Sequence, residues 1–194
     1  MNRIPVNIPV GACGAFQIKK ATGTFQNAQA ELYGTVHHGR VEEEPHGTYT
    51  ALWISEHNGS AINGSVMQDN YTEVLEHQPL WDNAFGKILI GGLGVGMVNE
   101  YLVRNPHVTS VTIVEKYSEV IDLVWNHCAK DSRFTLVQAD IETWIPPADS
   151  YWDYGWFDTW LGINPMSMEE YKQFIVAKYS PFCGKVETWK PFNA

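Results

Sequence analysis

Lys87-Ile-Leu-Ile-Gly-Gly-Leu-Gly-Val-Gly-Met-Val-Asn-Glu-Tyr-Leu-Val-Arg104 sets a strand, a glycine turn and a helix in succession. The run from Lys87 to Ile90 is short, β-branched and uninterrupted, the pattern of a strand buried on both faces of a parallel sheet. Gly91, Gly92, Gly94 and Gly96 end it. Glycines there allow positive φ and remove Cβ atoms, so backbone N–H groups can come close to a ligand. Met97, Val98, Tyr101 and Leu102 then recur at helical spacing, and the start of that helix points unpaired N–H groups at the turn. Taken alone, the stretch also fits a tight strand-to-helix turn that binds nothing.

The surrounding chain narrows the choice. With 194 residues, 44% hydrophobic and 18% charged, it is long enough for one sizeable core. No apolar stretch approaches the roughly 20 residues that span a bilayer, and Met1-Asn-Arg-Ile-Pro-Val lacks the apolar core of a signal peptide. A cytoplasmic location without membrane partners is the default expectation. Cys13, Cys128 and Cys183 are far apart and form no CxxC, which argues against a disulfide framework or a structural zinc site. Thirteen basic against twenty-two acidic residues give a net charge of −9, and no basic cluster exceeds Lys19-Lys20. The footprint of a nucleic-acid binder is missing, and a small or cationic substrate suits this field better.

Before the glycine turn the pattern is strand-like: Ala15 to Lys19, Ala30 to His37 and Thr48 to Ser55. Thr22-Gly23, Gly39-Arg40, Pro45-His46-Gly47, Asn58-Gly59 and Asn63-Gly64 supply turn signals, so an antiparallel N-terminal unit is expected. His37, His38, His46 and His57 have no acidic or cysteine partner at ligand spacing, and no metal site is expected. Asp69-Asn70 caps a predicted short helix from Tyr71 to about His77, with Glu73 and Glu76 near its start and Pro79 stopping it. Beyond the turn, the helix is expected to end near Asn105-Pro106. A strand over residues 108–115, a helix over 119–128 and a strand over 134–140 follow. After them come a short helical or turn element over 141–145, a strand over 152–158, a helix over 165–179 and a strand over 185–189. This alternation predicts a parallel, helix-covered sheet with right-handed crossovers.

Three predicted strands end in an acid: Glu115, Asp140 and Asp158. Ligands of open α/β sheets bind at the carboxyl ends of the strands, so these acids converge above the glycine turn. Glu115, with two acceptor oxygens, is placed to take both hydroxyls of a ribose. Asp140 could take an exocyclic amine of adenine, and Asp158 would face the reacting groups. Asp140 and Asp158 could equally be helix N-caps.

Gly92-Leu-Gly94-Val-Gly96, followed by these three spaced acids, resembles the GxGxG motif and strand-end acids of class I S-adenosylmethionine-dependent methyltransferases, over residues 87 to about 189. Tyr71-Thr-Glu73-Val-Leu-Glu-His77-Gln-Pro79-Leu80 is similar to the Y-x-E-M-x-x-H-x-P-L segment of the spermidine synthase branch. Ile88-Leu-Ile-Gly-Gly and Asp153-Tyr-Gly-Trp-Phe-Asp158 are similar to that branch's V-L-I-I-G-G and D-V-I-I-x-D, whose last Asp is the catalytic base. The resemblance implies a Rossmann-like parallel sheet with helices on both faces, preceded by a small antiparallel β unit. Residues 1–68 would form the β-hairpin unit and residues 69–194 the cofactor domain. It implies S-adenosylmethionine, or its decarboxylated form, held by Gly91, Gly92, Leu93, Gly94, Gly96, Glu115, Lys116, Asp140 and Ile141. Asp158 would be catalytic, with Asp69, Tyr71, Glu73 and Trp160 toward the small-molecule acceptor.

Departures from the resemblance bear on which group is transferred. Aminopropyltransferases carry an acid where this chain has Gly94, and a second acid where it has Thr159-Trp160-Leu161. A diamine would lose two cation partners, and an unpaired cation binds poorly in a desolvated site. Many methyltransferases place an acid where this chain has Ile90, so contacts to the methionine end must come from Gln68, Asp69 or Tyr71. Trp156, Trp160 and Tyr71 are candidate pocket walls. Methyl transfer is the favoured expectation, aminopropyl transfer the alternative, and a non-catalytic S-adenosylmethionine or nucleoside binder the third. An exposed sheet edge would be covered by a homodimer interface or by the N-terminal unit.

Overall fold

An antiparallel sheet comes first in the computed structural model, which describes residues 3–22, 48–57, 59–160 and 166–189. Its strands β1 (Gly11–Cys13), β2 (Phe16–Thr22), β3 (Thr48–His57) and β4 (Ser60–Gln68) lie side by side in chain order. Phe16 pairs with Ile54 and Ile18 with Leu52, and all four side chains are buried in one cluster, so cross-strand apolar pairs set the register. The expected strand over residues 30–37, the turn signals at residues 39–40 and 45–47, and His37, His38 and His46 lie outside the described residues. Asn63-Gly64 does not turn the chain. It sits inside β4, where Gly64 pairs with Ile54 and Ala61 with Glu56, and the uneven spacing is absorbed as a bulge.

Asn70 caps α1 (Tyr71–Glu76) by accepting the Glu73 N–H at 2.8 Å. Pro79 does not end the helical region. It lies in the first turn of a second helix, α2 (Gln78–Asn83), where its missing N–H costs nothing. β5 (Gly86–Gly91) leads through the glycine turn into α3 (Met97–Leu102), and single-turn bonds from Arg104 to Tyr101 and Asn105 to Leu102 tighten its end. β6 (Val108–Glu115), α4 (Ser118–Val124), β7 (Phe134–Gln138) and β8 (Trp152–Phe157) follow. Helix α4 stops four residues short of Cys128, although the Cys128 N–H still bonds Val124. Helix α5 (Met168–Tyr179) begins at a capping box between Ser167 and Glu170, Pro165 of the expected helix lying outside the described residues, and β9 (Cys183–Thr188) closes the set.

The five later strands form one parallel sheet in the order β7-β6-β5-β8-β9. Alternation along β5 divides the core. Ile88 and Ile90 join Val111, Ile113, Tyr154 and Trp156 on one face, whereas Leu89 joins Val114, Phe157 and the α5 residues Tyr171, Ile175 and Tyr179 on the other. Each fully buried aliphatic side chain of that kind stabilises by about 1.5–3 kcal/mol, which explains the unbroken apolar run. Phe16, Ile18, Leu52, Ile54 and Met67 of the small sheet enter the first cluster, so both sheets share one core. The fold is thus α/β and Rossmann-like, with helices flanking a parallel sheet and a small antiparallel sheet before it.

Candidate functional site

The carboxyl end of β5, where the chain later crosses from β7 back to β8, is the switch point at which α/β sheets bind ligands. Three glycines there have left-handed backbones: Gly92 at φ 92°, Gly94 at 53° and Gly96 at 75°. At Gly94 the space is also taken, because a Cβ would overlap the Met67 Sδ. Four amides of the turn are engaged within the protein. Gly92 N–H donates to Val114 O at 2.9 Å, Leu93 N–H to Glu115 Oε2 at 2.8 Å, Val95 N–H to Met67 Sδ at 3.4 Å and Gly96 N–H to Leu93 O at 3.0 Å. The expectation of a row of amides free for a ligand is therefore not met at these positions.

Beside the turn lies a cavity of about 320 Å³, within the usual range of small-molecule sites. The sequence-predicted residues Gly91, Gly92, Leu93, Gly94, Glu115, Lys116, Asp140, Ile141, Asp158, Glu73 and Trp160 all line it. Gly96, Asp69 and Tyr71 are not among its lining residues. Gly96 serves as the left-handed N-cap of α3. Asp69 is fully buried and engaged elsewhere. Its carboxylate accepts the Thr50 N–H at 2.7 Å, the Val6 N–H at 2.9 Å and the Arg3 guanidinium at 2.8 Å, which ties the N-terminal segment to β3.

Glu115 is 6% exposed at the end of β6. Its Oε2 accepts from Leu93 and its Oε1 from the Tyr117 N–H at 2.9 Å, so one side chain fixes both the glycine turn and the start of α4. A carboxylate has about four lone-pair directions, more than these two amides use, and Glu115 lines the cavity. Burial raises this carboxyl above its ordinary value, outweighing the amides and the nearby Lys116 charge that lower it. Asp140 pairs with Lys116 at 2.9 Å and accepts the Glu142 N–H at 2.9 Å. Burial pushes the Asp140 carboxyl up, but the Lys116 hydrogen bond, the Glu142 amide and the lysine charges together hold it below the ordinary value. The hydrogen bond to Asp140 in turn raises Lys116.

Several lining residues were not singled out from the sequence as site residues: Met67, Glu76, His77 and Trp189. Trp189 Nε1–H donates to Glu76 Oε2 at 2.9 Å. His77 follows Glu73 by four residues, the spacing that puts two side chains on one helix face, and that was the available signal. Its side chain is 1% exposed, Nδ1 lies 2.8 Å from Glu73 O, and Nε2 stands 3.3 Å from Asp158 Oδ2. Among the described residues, six carboxylates line the cavity, from Glu73, Glu76, Glu115, Asp140, Glu142 and Asp158, against the single ammonium of Lys116. Such a wall attracts cations and repels phosphates.

No family model and no curated protein sequence matches this chain. Among solved structures, it is similar to the N-methyltransferase NodS from Bradyrhizobium japonicum WM9, solved with S-adenosyl-L-homocysteine. The identity there is 15%, over 59% of this chain and 58% of that one, with a TM-score of 0.45. It is also similar to an S-adenosylmethionine-dependent methyltransferase from Clostridium acetobutylicum, with 16% identity over 57% and 43% of the two chains and a TM-score of 0.40. The chain thus spans little more than half of the first and less than half of the second.

Proposed function

We propose that this protein is an S-adenosylmethionine-dependent methyltransferase acting on a small acceptor. The observation that carries the reading is the cavity itself: an acid-lined space beside a glycine turn whose amides are largely spent on the protein. A phosphate-bearing dinucleotide needs free amides or cations, and this site offers few. An adenosyl sulfonium needs acceptors for its ribose and adenine and tolerates a negative wall. Glu115 would take the ribose hydroxyls through its remaining lone pairs, and Asp140 with Ile141 would border the adenine. The methionine end would be held by residues other than Asp69, whose carboxylate is already engaged with Arg3, Val6 and Thr50.

In methyl transfer the acceptor's lone pair forms the new bond to the methyl carbon as the carbon–sulfur bond breaks, and the bonding pair leaves with sulfur. The protein has to align the two in line at about 3 Å and remove the acceptor's proton. Asp158, whose side chain is 24% exposed at the end of β8, would receive that proton. Trp160 and Trp156 would wall the acceptor, and an aromatic face near a sulfonium is favourable. Aminopropyl transfer is the second reading, favoured by Glu73 and His77 from the spermidine synthase-like segment lining the cavity. Against it, Met67 fills the space where that branch carries an acid at the position of Gly94.

Calorimetry with S-adenosylmethionine, its decarboxylated form and S-adenosylhomocysteine tests both. Preference for the first supports methyl transfer and preference for the second aminopropyl transfer, while no binding at millimolar concentration of any would refute the cofactor. Asp158→Asn is expected to keep donor affinity within about twofold, a change of about 0.4 kcal/mol, and to abolish turnover. The sheet leaves β7 and β9 at its edges, and sedimentation equilibrium would test the expected homodimer.

A further inference from the structure

His77 bridges α1 and α2 as the C-cap of one and the N-cap of the other, and its ring is buried against Trp81 and Trp156, with centroids 5.5 and 5.4 Å away. Nδ1 faces the Glu73 carbonyl at 2.8 Å, and a carbonyl can only accept, so Nδ1 carries the proton. In the neutral ring, Nε2 then presents a lone pair. That atom is buried and makes no hydrogen bond, yet Asp158 Oδ2 is 3.3 Å from it, out of line for one. Two acceptors facing each other in a buried place repel unless a positive charge sits with them.

The Glu73 carboxylate completes the group. Ligand atoms of Glu73, His77 and Asp158 all lie within 4.8 Å of one another, and all three residues line the cavity. Ligands held about 2.0–2.1 Å from a tetrahedral metal ion stand roughly 3.3 Å apart, which is the His77–Asp158 separation. The bond from Nδ1–H to a backbone carbonyl is also the usual outer support of a metal-ligating imidazole, since it fixes the tautomer and the ring plane. We propose that Glu73, His77 and Asp158 form a binding site for a divalent first-row metal ion such as Zn²⁺. One imidazole and two carboxylates suit such ions. Three protein ligands leave a coordination position open to the cavity, as in catalytic rather than structural sites. Metal binding at these residues does not depend on which donor the cavity accepts, and an Asp158 carboxylate held through Oδ2 keeps Oδ1 for the acceptor's proton.

The test is titration of the whole chain with zinc chloride by calorimetry, without any methyl donor, beside Co²⁺ absorption. One equivalent is expected to bind, and the Co²⁺ form should show ligand-field bands without thiolate charge transfer, since Cys13, Cys128 and Cys183 are not involved. His77→Gln and Asp158→Asn should each weaken binding at least tenfold, with circular dichroism confirming that the variants fold. Asp158→Asn, at a strand end and partly exposed, remains informative should His77→Gln not fold. Absence of binding at micromolar Zn²⁺ would overturn the proposal, as would unchanged affinity in Asp158→Asn or a thiolate band. In the metal-free chain, a His77 imidazole that NMR shows doubly protonated at neutral pH, together with no Zn²⁺ uptake, would assign the missing charge to a proton and equally overturn it.

Discussion

Glu115 shows how one side chain can serve structure and ligand at once. Its two oxygens hold the Leu93 and Tyr117 amides, so Glu115→Ala orphans one buried donor, at about 1–3 kcal/mol, and one part-buried donor that water can reach. The expected outcome is a lower melting temperature together with donor binding weaker by about 1–3 kcal/mol, measured calorimetrically where the variant is still folded. The pH dependence has a definite sign. Because the folded carboxyl lies above its unfolded value of 4.5, its contribution to stability is present below that value and is lost as pH rises through the folded one. Donor affinity should run the opposite way and fall as the carboxyl takes its proton, so it should weaken as calorimetric titrations are carried from neutral pH toward the acid side. Cysteines give an independent readout. Burial pushes Cys128 up to about 11 and Cys183 to about 12, leaving well under about 1% thiolate at pH 8. Iodoacetamide should spare both in the folded protein and label them in urea, by mass spectrometry.

At the scale of elements, the glycine turn is shaped as much by β4 as by its own sequence. Met67 reaches from β4 so that its sulfur accepts from Val95 and covers Gly94. Gly94→Ala must place a Cβ on a left-handed backbone, costing about 1–3 kcal/mol, and must displace that sulfur as well. Unfolding in urea should show Gly94→Ala destabilised beyond the backbone cost alone. Combining it with Met67→Ala should recover the steric part, a coupling of about 0.5–3 kcal/mol in the double-mutant cycle. Simple additivity would mean that Met67 yields without strain. The elements anticipated from sequence are the ones whose own residues decide them: β5 and β6 by apolar runs, α1 by Asn70. Those that shifted answered to signals with two meanings. Pro79 can stop a helix or open one, and Asn-Gly can make a hairpin turn or, at residues 63–64, sit within a strand.

Across the whole molecule, Asp69 is the join. It is fully buried and receives Arg3, Val6 and Thr50, while its own N–H donates to Thr50 O at 3.1 Å. Those contacts fasten the N-terminal segment and β3 to the end of β4 just before the helix that carries Glu73. Asp69→Ala leaves Arg3 without its counter-ion and two amides without acceptors, so a loss of about 3–5 kcal/mol is expected, read from urea unfolding. Because the small sheet supplies Phe16, Leu52 and Met67 to the cavity wall, donor binding in this variant should weaken even where the parallel sheet remains folded.

The parallel sheet, the glycine turn at its switch point and the acids at the ends of three strands are legible in the chain alone, because periodicity and strand-end position are local properties that neighbouring residues enforce. The sequence also placed Glu115, Asp140 and Asp158 at one cavity before any contact was visible. What those residues touch was set by the packed fold. It assigned Asp69 to Arg3 and two backbone amides, spent the turn's amides on Val114, Glu115, Met67 and Leu93, and turned His77 toward Asp158 across eighty-one positions of chain. The physical reason is that hydrogen-bond partners and ligand distances depend on which distant segments pack together, which no single stretch of sequence encodes.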